Sequence, residues 1–232
     1  MKTTITLPLL LLAAATPYAI AQPPAKLTDV YRVTFLKSAP AKAAQLGDDL
    51  KAQGAKAPMP GHFLLLRHVS GDDWDYAVIE HNGPKMTVEA STPPPPAASR
   101  DLAEWHDDTL AAGPAWSDFV RVMGVSDPAA KSAAAVYVLN VQRAFPGHRD
   151  QLEKALREAP AKGDSVAGIA LLQHLQGGNW QYLTIQRYNS WQEYGATEAN
   201  TQAQMLKNAG PWYQLREHMI FHRDTIAHRV AP

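Results

Sequence analysis

The chain has 232 residues, 22 basic and 22 acidic side chains, and no cysteine. A formal charge of zero with no basic run excludes electrostatic binding to nucleic acid or to anionic lipid. The absence of cysteine excludes disulfides, thiolate metal sites and cysteine nucleophiles, so an exported form would rely on its apolar core alone.

The first residues, Met1-Lys2, lead into an apolar run, Leu9–Ala15, and then into Ala19-Ile20-Ala21. A positive start, a short apolar run and a small-x-small site predict a secretory signal peptide over 1–21, and so a periplasmic or secreted protein. The run is shorter than the about 20 apolar residues of a membrane span, so no membrane contact is expected after cleavage. Residues 22–28 read as a flexible lead-in. Val30–Leu36 alternates and predicts a strand. Ala41–Ala52 predicts a helix with Leu46 and Leu50 on one face. Phe63–Ile79 holds two apolar runs around Ser70-Gly71-Asp72-Asp73, the pattern of a hairpin. Pro93–Pro96 predicts an exposed loop, because proline lacks the backbone donor. Arg100–Ala112 reads as a second helix and Phe119–Val125 as a fourth strand. Residues 126–134, small, polar and proline-containing, read as a linker.

The second half repeats this order. Leu65, Leu66, His68, Gly71, Trp74, Tyr76 and Ile79 recur as Leu171, Leu172, His174, Gly177, Trp180, Tyr182 and Ile185, always 106 positions later. Leu46 and Leu50 recur at the same offset as Leu152 and Leu156, and Pro40 as Pro146. Val136–Val141, His148–Glu158, Trp191–Ala209 and Met219–Ala227 read as strand, helix, helix and strand around the second hairpin. Ala209-Gly210-Pro211 matches Ala112-Gly113-Pro114 at a shorter offset. Each half, 29–125 and 135–232, therefore predicts β-α-β-β-α-β, the ferredoxin-like unit. The expected class is α+β: two tandem repeats whose antiparallel sheets pack into one α+β barrel.

With those residues in view, the chain past its signal resembles the dimeric α+β barrel superfamily. That group includes antibiotic-biosynthesis-type monooxygenases, haem-degrading monooxygenases and stress-responsive barrel proteins. Val136–Glu158 (VYVLNVQRAFPGHRDQLEKALRE) is similar to their opening: strand, Pro-Gly turn, amphipathic helix. The resemblance implies an enzyme or a binding protein, since the group hosts both. Asn140, seven residues before Gly147, resembles the first-strand asparagine of the haem-degrading members. Their third-strand tryptophan and following-helix histidine have no counterpart here. No cofactor is predicted, and haem is left open.

Strand alternation assigns side chains to faces. Tyr31, Val33, Phe35, Tyr137, Leu139 and Val141 suit the face under the helices, as do Ala77, Ile79, Leu183 and Ile185. The opposite face is expected to line a space between the sheets. It carries Arg32, Asn140, Gln142, Trp74, Tyr76, Glu80, Trp180 and Tyr182. Of these, Arg32, Trp74, Tyr76, Asn140, Gln142, Trp180 and Tyr182 are the candidate ligand-binding set. Asn140, Arg67 and Glu80 are the candidate catalytic groups. Aromatic walls with a few polar groups suit a small-molecule site; a filled interior is the alternative. His68 and His174 sit at the hairpin mouths, where bonding the turn is their simplest role; they are expected to point to the helices. His218, His222 and His228 are weak metal candidates. On a strand His218 and His222 lie about 13 Å apart, too far to share a metal. The leading expectation is a protein that binds a small aromatic or apolar molecule between its halves. The alternatives are a cofactor-independent monooxygenase-type enzyme and a structural or stress protein with a filled barrel. Two copies in one chain predict a monomer or weak homodimer.

Overall fold

The computed structural model describes residues 25–85, 101–127, 130, 134–158, 160 and 163–232. The expected signal peptide, the first residues of the lead-in, the proline run and much of the linker lie outside the described residues. Eight strands alternate with five helices among those described: β1 (Asp29–Ser38), α1 (Ala43–Lys56), β2 (Phe63–Ser70), β3 (Tyr76–Pro84), β4 (Ala103–Gly113), α2 (Trp116–Met123), β5 (Val136–Ala144), α3 (Arg149–Leu156), β6 (Gly168–Gln176), β7 (Tyr182–Tyr188), α4 (Trp191–Met205), α5 (Pro211–Arg216) and β8 (Met219–Ala231).

The strands close into one antiparallel α+β barrel in the order β1-β3-β2-β8-β5-β7-β6-β4. Its two quarters β1–β3 and β5–β7 pair in the same register. Arg32 faces Glu80 across the first pair, and Val138 faces Gln186 across the second. The seams between halves are β2–β8 and β4–β6.

Two elements differ from the sequence reading. Residues 100–112, expected as helix, contain strand β4, which pairs with β1 along nearly its whole length. Backbone pairing and the burial of Thr109 and Ala111 override the helix preference of its alanines and leucines. Phe119–Val125, expected as strand, lies largely in helix α2. Its apolar residues Trp116, Phe119, Val120 and Met123 recur at i, i+3, i+4 and i+7, the period of a helix face. Gly124, at φ 64°, ends the helix in the left-handed conformation that glycine adopts without strain.

The faces are also inverted. Tyr31, Val33, Phe35, Tyr137, Leu139, Ala77, Ile79, Leu183 and Ile185 point into the barrel, where they form one continuous apolar core with Trp74 and Trp180. The reason is geometric. Inner faces of a narrow barrel pack on one another, so most of their side chains are apolar. The outer faces are covered only in part by helices and can keep polar residues. Leu36, Phe63, Leu65 and Tyr76 pack outward under Leu46 and Leu50 of α1. Leu171 and Tyr182 pack outward under Leu152 and Leu156 of α3.

Helix α2 joins this core through Phe119 and Met123. Its N-terminus donates Trp116 N–H to the Asp29 carboxylate (3.0 Å), which His81 also contacts (2.8 Å). At its C-terminal end, Arg187 Nε donates to Val122 O (3.0 Å), and Arg229 donates to Gly124 O (2.6 Å) and Val125 O (2.8 Å). An acid at the start and two guanidiniums at the end match the sign of the helix dipole. The buried hydroxyls of Tyr31 and Tyr137 donate to Pro114 O and Met123 O, on either side of the same helix.

Arg229→Met should therefore orphan two buried carbonyls and lower stability by about 2–3 kcal/mol. Urea unfolding of the pair checks this. A change within error would mean that α2 does not depend on the arginine.

Candidate functional site

The inverted faces disperse most of the expected site. Trp74 and Trp180 do lie on the inner side, as expected, but as part of the packed core, each with a histidine edge-on, His68 at 5.5 Å and His174 at 5.9 Å between ring centres. Those histidines therefore turn inward, not to the helices. Tyr76 donates to Ala43 O (2.8 Å) and ties β3 to α1. Tyr182 donates to Glu153 Oε2 (2.9 Å) and ties β7 to α3. Arg32 and Glu80 pair at 3.9 Å on the outer face of the first half. Arg67 is exposed on the outer face of β2. Its counterpart Gln173 donates to Glu153 Oε2 (3.0 Å).

The three C-terminal histidines do not converge. His218 meets His148 (3.1 Å between Nδ1 atoms), His222 stands edge-on to Trp212, and His228 Nδ1 donates to Ala135 O (3.0 Å). Among the described residues no group of three or more histidine and acidic side chains is placed to hold a metal ion.

Asn140 and Gln142 do share a site, on the outer face of the second half and not between the halves. A cavity of about 470 Å³ lies between β5, β7 and β8 on one side and α4, α5 and the end of α3 on the other. Its floor follows from register. Asn140 pairs with Thr184 of β7 and with Asp224 of β8, so these three form one row across the sheet. Gln142 and His222 begin the next row; Gln186, Val138 and Ile226 form the row on the other side. Asn140 Nδ2 donates to Thr184 Oγ1 (3.2 Å), which leaves its second N–H for a ligand. Gln142 is 2% exposed, yet its Oε1 has no hydrogen-bond partner. A buried acceptor without a protein partner, facing a cavity, marks a place where a ligand donor gains a bond.

The cavity exists because α4 does not seal the sheet. Its sequence, WQEYGATEANTQAQM, carries no apolar stripe, and its one buried residue is Thr197. Thr197 Oγ1 accepts from Ser165 N (2.9 Å), and Ser190 caps the helix by accepting from Glu193 N (3.1 Å). Polar contacts hold α4 at its N-cap and at mid-helix Thr197, and no apolar side chain of the helix is fully buried against the strands. The roof of the first half is tight by contrast: at Gly47 an added Cβ would lie 2.5 Å from the Tyr76 hydroxyl oxygen.

The electrostatics are one-sided. Asp224 is pushed up from the usual carboxylate range by burial, against the pull of His222, whose Nε2 is 4.0 Å away. The side chain is 46% exposed, but into a concave space whose walls still restrict water. Glu198 of α4 is pushed up by burial and by the charges of Asp224 and Asp164. Tyr188 and Tyr194 stand edge-to-face (5.4 Å), and burial raises both hydroxyls. Asp224, Glu198 and the two tyrosines were missed by sequence reasoning. A signal existed: His106-x-Asp108-Thr109-x-Ala111 of β4 recurs 116 positions later as His222-x-Asp224-Thr225-x-Ala227 of β8. The Ala-Gly-Pro match is coincidental in structure, since Pro114 follows a strand and Pro211 starts α5.

No protein-family model and no curated protein matches the chain. Solved structures match it in fold. A candidate monooxygenase of Lactobacillus acidophilus NCFM superposes with a TM-score of 0.53 at 11% identity, over 87% of this chain and 94% of its own. A second candidate monooxygenase, from Fusobacterium nucleatum subsp. nucleatum ATCC 25586, gives 0.52 at 10% identity, over 87% and 92%. An anthrone oxidase-like protein gives 0.53 at 11% identity, over 88% and 92%. At such identities the likeness carries the fold alone. The class is thus a single-chain α+β barrel with a small-molecule-sized cavity outside one of its sheets.

Raised carboxylates reduce stability. A folded-state pKa above the unfolded value means that stability is lost as pH rises from the ordinary carboxylate pKa to the raised one. Asp224→Asn removes that loss, so its melting temperature should exceed that of the parent at pH 7. The gap should close at acid pH, where both side chains are neutral. Thermal melts across pH check both statements.

Proposed function

We propose that the protein is a cofactor-independent oxygenase of the barrel-monooxygenase type, formed by duplication of a ferredoxin-like unit and exported after loss of residues 1–21. The observation that carries the reading is the floor row of the cavity: a raised carboxylate, Asp224, beside amides that a bound oxygen function can satisfy. The likeness to candidate monooxygenases and to an anthrone oxidase-like protein supports it at the level of fold.

The substrate is an aromatic molecule with a CH₂ made acidic by conjugation through its rings to a carbonyl. Asp224 takes the carbon-bound proton, and its raised pKa makes it a stronger base than an exposed aspartate. The free N–H of Asn140 donates to the substrate oxygen as negative charge moves onto it. Gln142 Oε1 accepts from a substrate hydroxyl and fixes the ring. The carbanion passes an electron to dioxygen, the two radicals combine, and the hydroperoxide loses water. The sum is R₂CH₂ + O₂ → R₂C=O + H₂O. Carbon is oxidised, dioxygen is reduced, and the proton taken by Asp224 leaves with the water.

Oxygen uptake with an anthrone as substrate tests this. The parent should consume one dioxygen per quinone formed. Asp224→Asn should lower kcat by about 100-fold or more, the usual range for loss of a general base. Asn140→Ala should lower it by about 10-fold, a share of what an oxyanion donor contributes. The rate should fall as pH drops through the raised pKa of Asp224. Binding of the anthrone without oxygen uptake would replace this reading with that of a carrier.

A further inference from the structure

We propose that Asp29, His81 and His62 form an acid switch: a second proton drives His62 off His81 and uncovers the indole of Trp116. The three side chains come from β1, β3 and the residue before β2. None of them lines the cavity, so the switch is independent of the oxygenase reading. His81 Nε2 lies 2.8 Å from Asp29 Oδ2, and His81 Nδ1 lies 3.1 Å from His62 Nδ1. The proton positions follow by elimination. Asp29 Oδ2 already accepts from Trp116 N–H (3.0 Å), and Oδ1 accepts from the Thr28 hydroxyl (3.0 Å), so the carboxylate is an acceptor throughout. His81 Nε2 therefore carries a proton and donates it. In a neutral ring Nδ1 is then the acceptor, so His62 Nδ1 carries a proton and donates to His81. Each ring is held in one tautomer. Only His62 Nε2 can take up a further proton and leave this chain of bonds intact.

A second proton has no such place. It must enter at His81 Nδ1, where its N–H would face the N–H of His62 and two imidazolium rings would meet head-on at 3.1 Å. The groups facing His81 are Asp29 and Tyr31 of β1, His62, and Trp116 of α2. Burial pushes Tyr31 up, so it stays neutral. Burial also holds His81 below the ordinary imidazole value; Asp29 opposes this, and the charge of His62 adds to it. The stability linked to His81 is therefore present above the ordinary imidazole pKa and is lost as pH falls through the lowered one. His81 is the ring that stays. It is 4% exposed and lies between Tyr31 (5.2 Å between ring centres) and Trp116 (5.3 Å). His62 is only half-buried and stacks on Trp116 at 4.7 Å. It follows Gly61, whose left-handed φ of 77° and open surroundings leave the turn room to move. Turning His62 outward relieves the repulsion, and the indole face that it covered meets water.

Two measurements on the full chain test this. Imidazole ¹⁵N NMR of the parent at about pH 8, where free imidazole is neutral, should show His81 as the Nε2–H tautomer and His62 as the Nδ1–H tautomer. The opposite tautomer at either ring overturns the inference, and this readout needs no variant. Acrylamide quenching then follows the indole, with the Trp116 contribution taken as the difference between the parent and Trp116→Phe. Between about pH 8 and pH 5, quenching of that contribution should rise about 2-fold or more as the switched population grows. His62→Phe keeps an aromatic ring on Trp116 but removes the opposing N–H and the second charge. Its rise over the same range should be less than about half that of the parent. A rise of equal size in His62→Phe, or no rise in the parent, overturns the inference.

Discussion

The filled interior of the barrel governs everything else. Eight strands close on a core in which Tyr31 and Tyr137 are fully buried and their hydroxyls reach backbone carbonyls beside α2. A barrel of this strand number leaves little more than the volume of its own side chains. Once the inner face is spent on packing, a ligand can be held only outside the sheet. Helix α2 completes the closure, with an acid at one end and two arginines at the other. The strand pairing and the helix dipole thus settle together which surface remains for function.

The two outer surfaces start from matched registers and end differently. In the first half, Gly47 lets Tyr76 reach under α1, and Leu36, Leu46 and Leu50 close the face. In the second half, position 153, the counterpart of Gly47 at an offset of 106, is a glutamate that accepts from Tyr182 and Gln173. Asn140, at the position that Thr34 occupies in the first half, looks into a space that α4 spans without filling. Thr34 instead donates to Asp108 (2.6 Å), so the first-half aspartate is occupied where Asp224 faces the cavity. A repeated sequence does not produce two equal sites, because the roof differs more than the floor does.

Much of this was legible in the sequence, and the failures have physical causes. The 106-residue offset located both hairpins, because turn glycines and alternating apolar runs are local signals. It could not tell inner from outer face. Both faces of a barrel strand are half-buried, and Tyr, Trp and Val suit either. Choosing the polar face as the inner one inverted every assignment along β1, β3, β5 and β7. The strand β4 was hidden by an alanine- and leucine-rich composition, and α2 by its shortness. Comparing His106-x-Asp108-Thr109 with His222-x-Asp224-Thr225 would have recovered both β4 and the carboxylate of the site. That comparison needs an offset that changes within the chain, as an insertion under one roof requires.

Carboxylates divide by role along the same line. Asp72, Asp75 and Glu153 all sit below the usual range despite partial burial, because each accepts from a defined donor: Arg223, Ser38, and Arg157 with Tyr182. Their stabilisation is present above the ordinary carboxylate pKa and is lost as pH falls through the lowered values. Asp224 and Glu198 have the opposite sign and face each other across open space. The first group fixes hairpin tips and the α3 roof to the barrel. The second opposes folding at neutral pH and so has no structural reason to be acidic. Three carboxylates are tied to defined donors, while Asp224 and Glu198 line the cavity with raised pKa values, Asp224 against the pull of His222. A transferable proton is what a carboxylate so raised can receive.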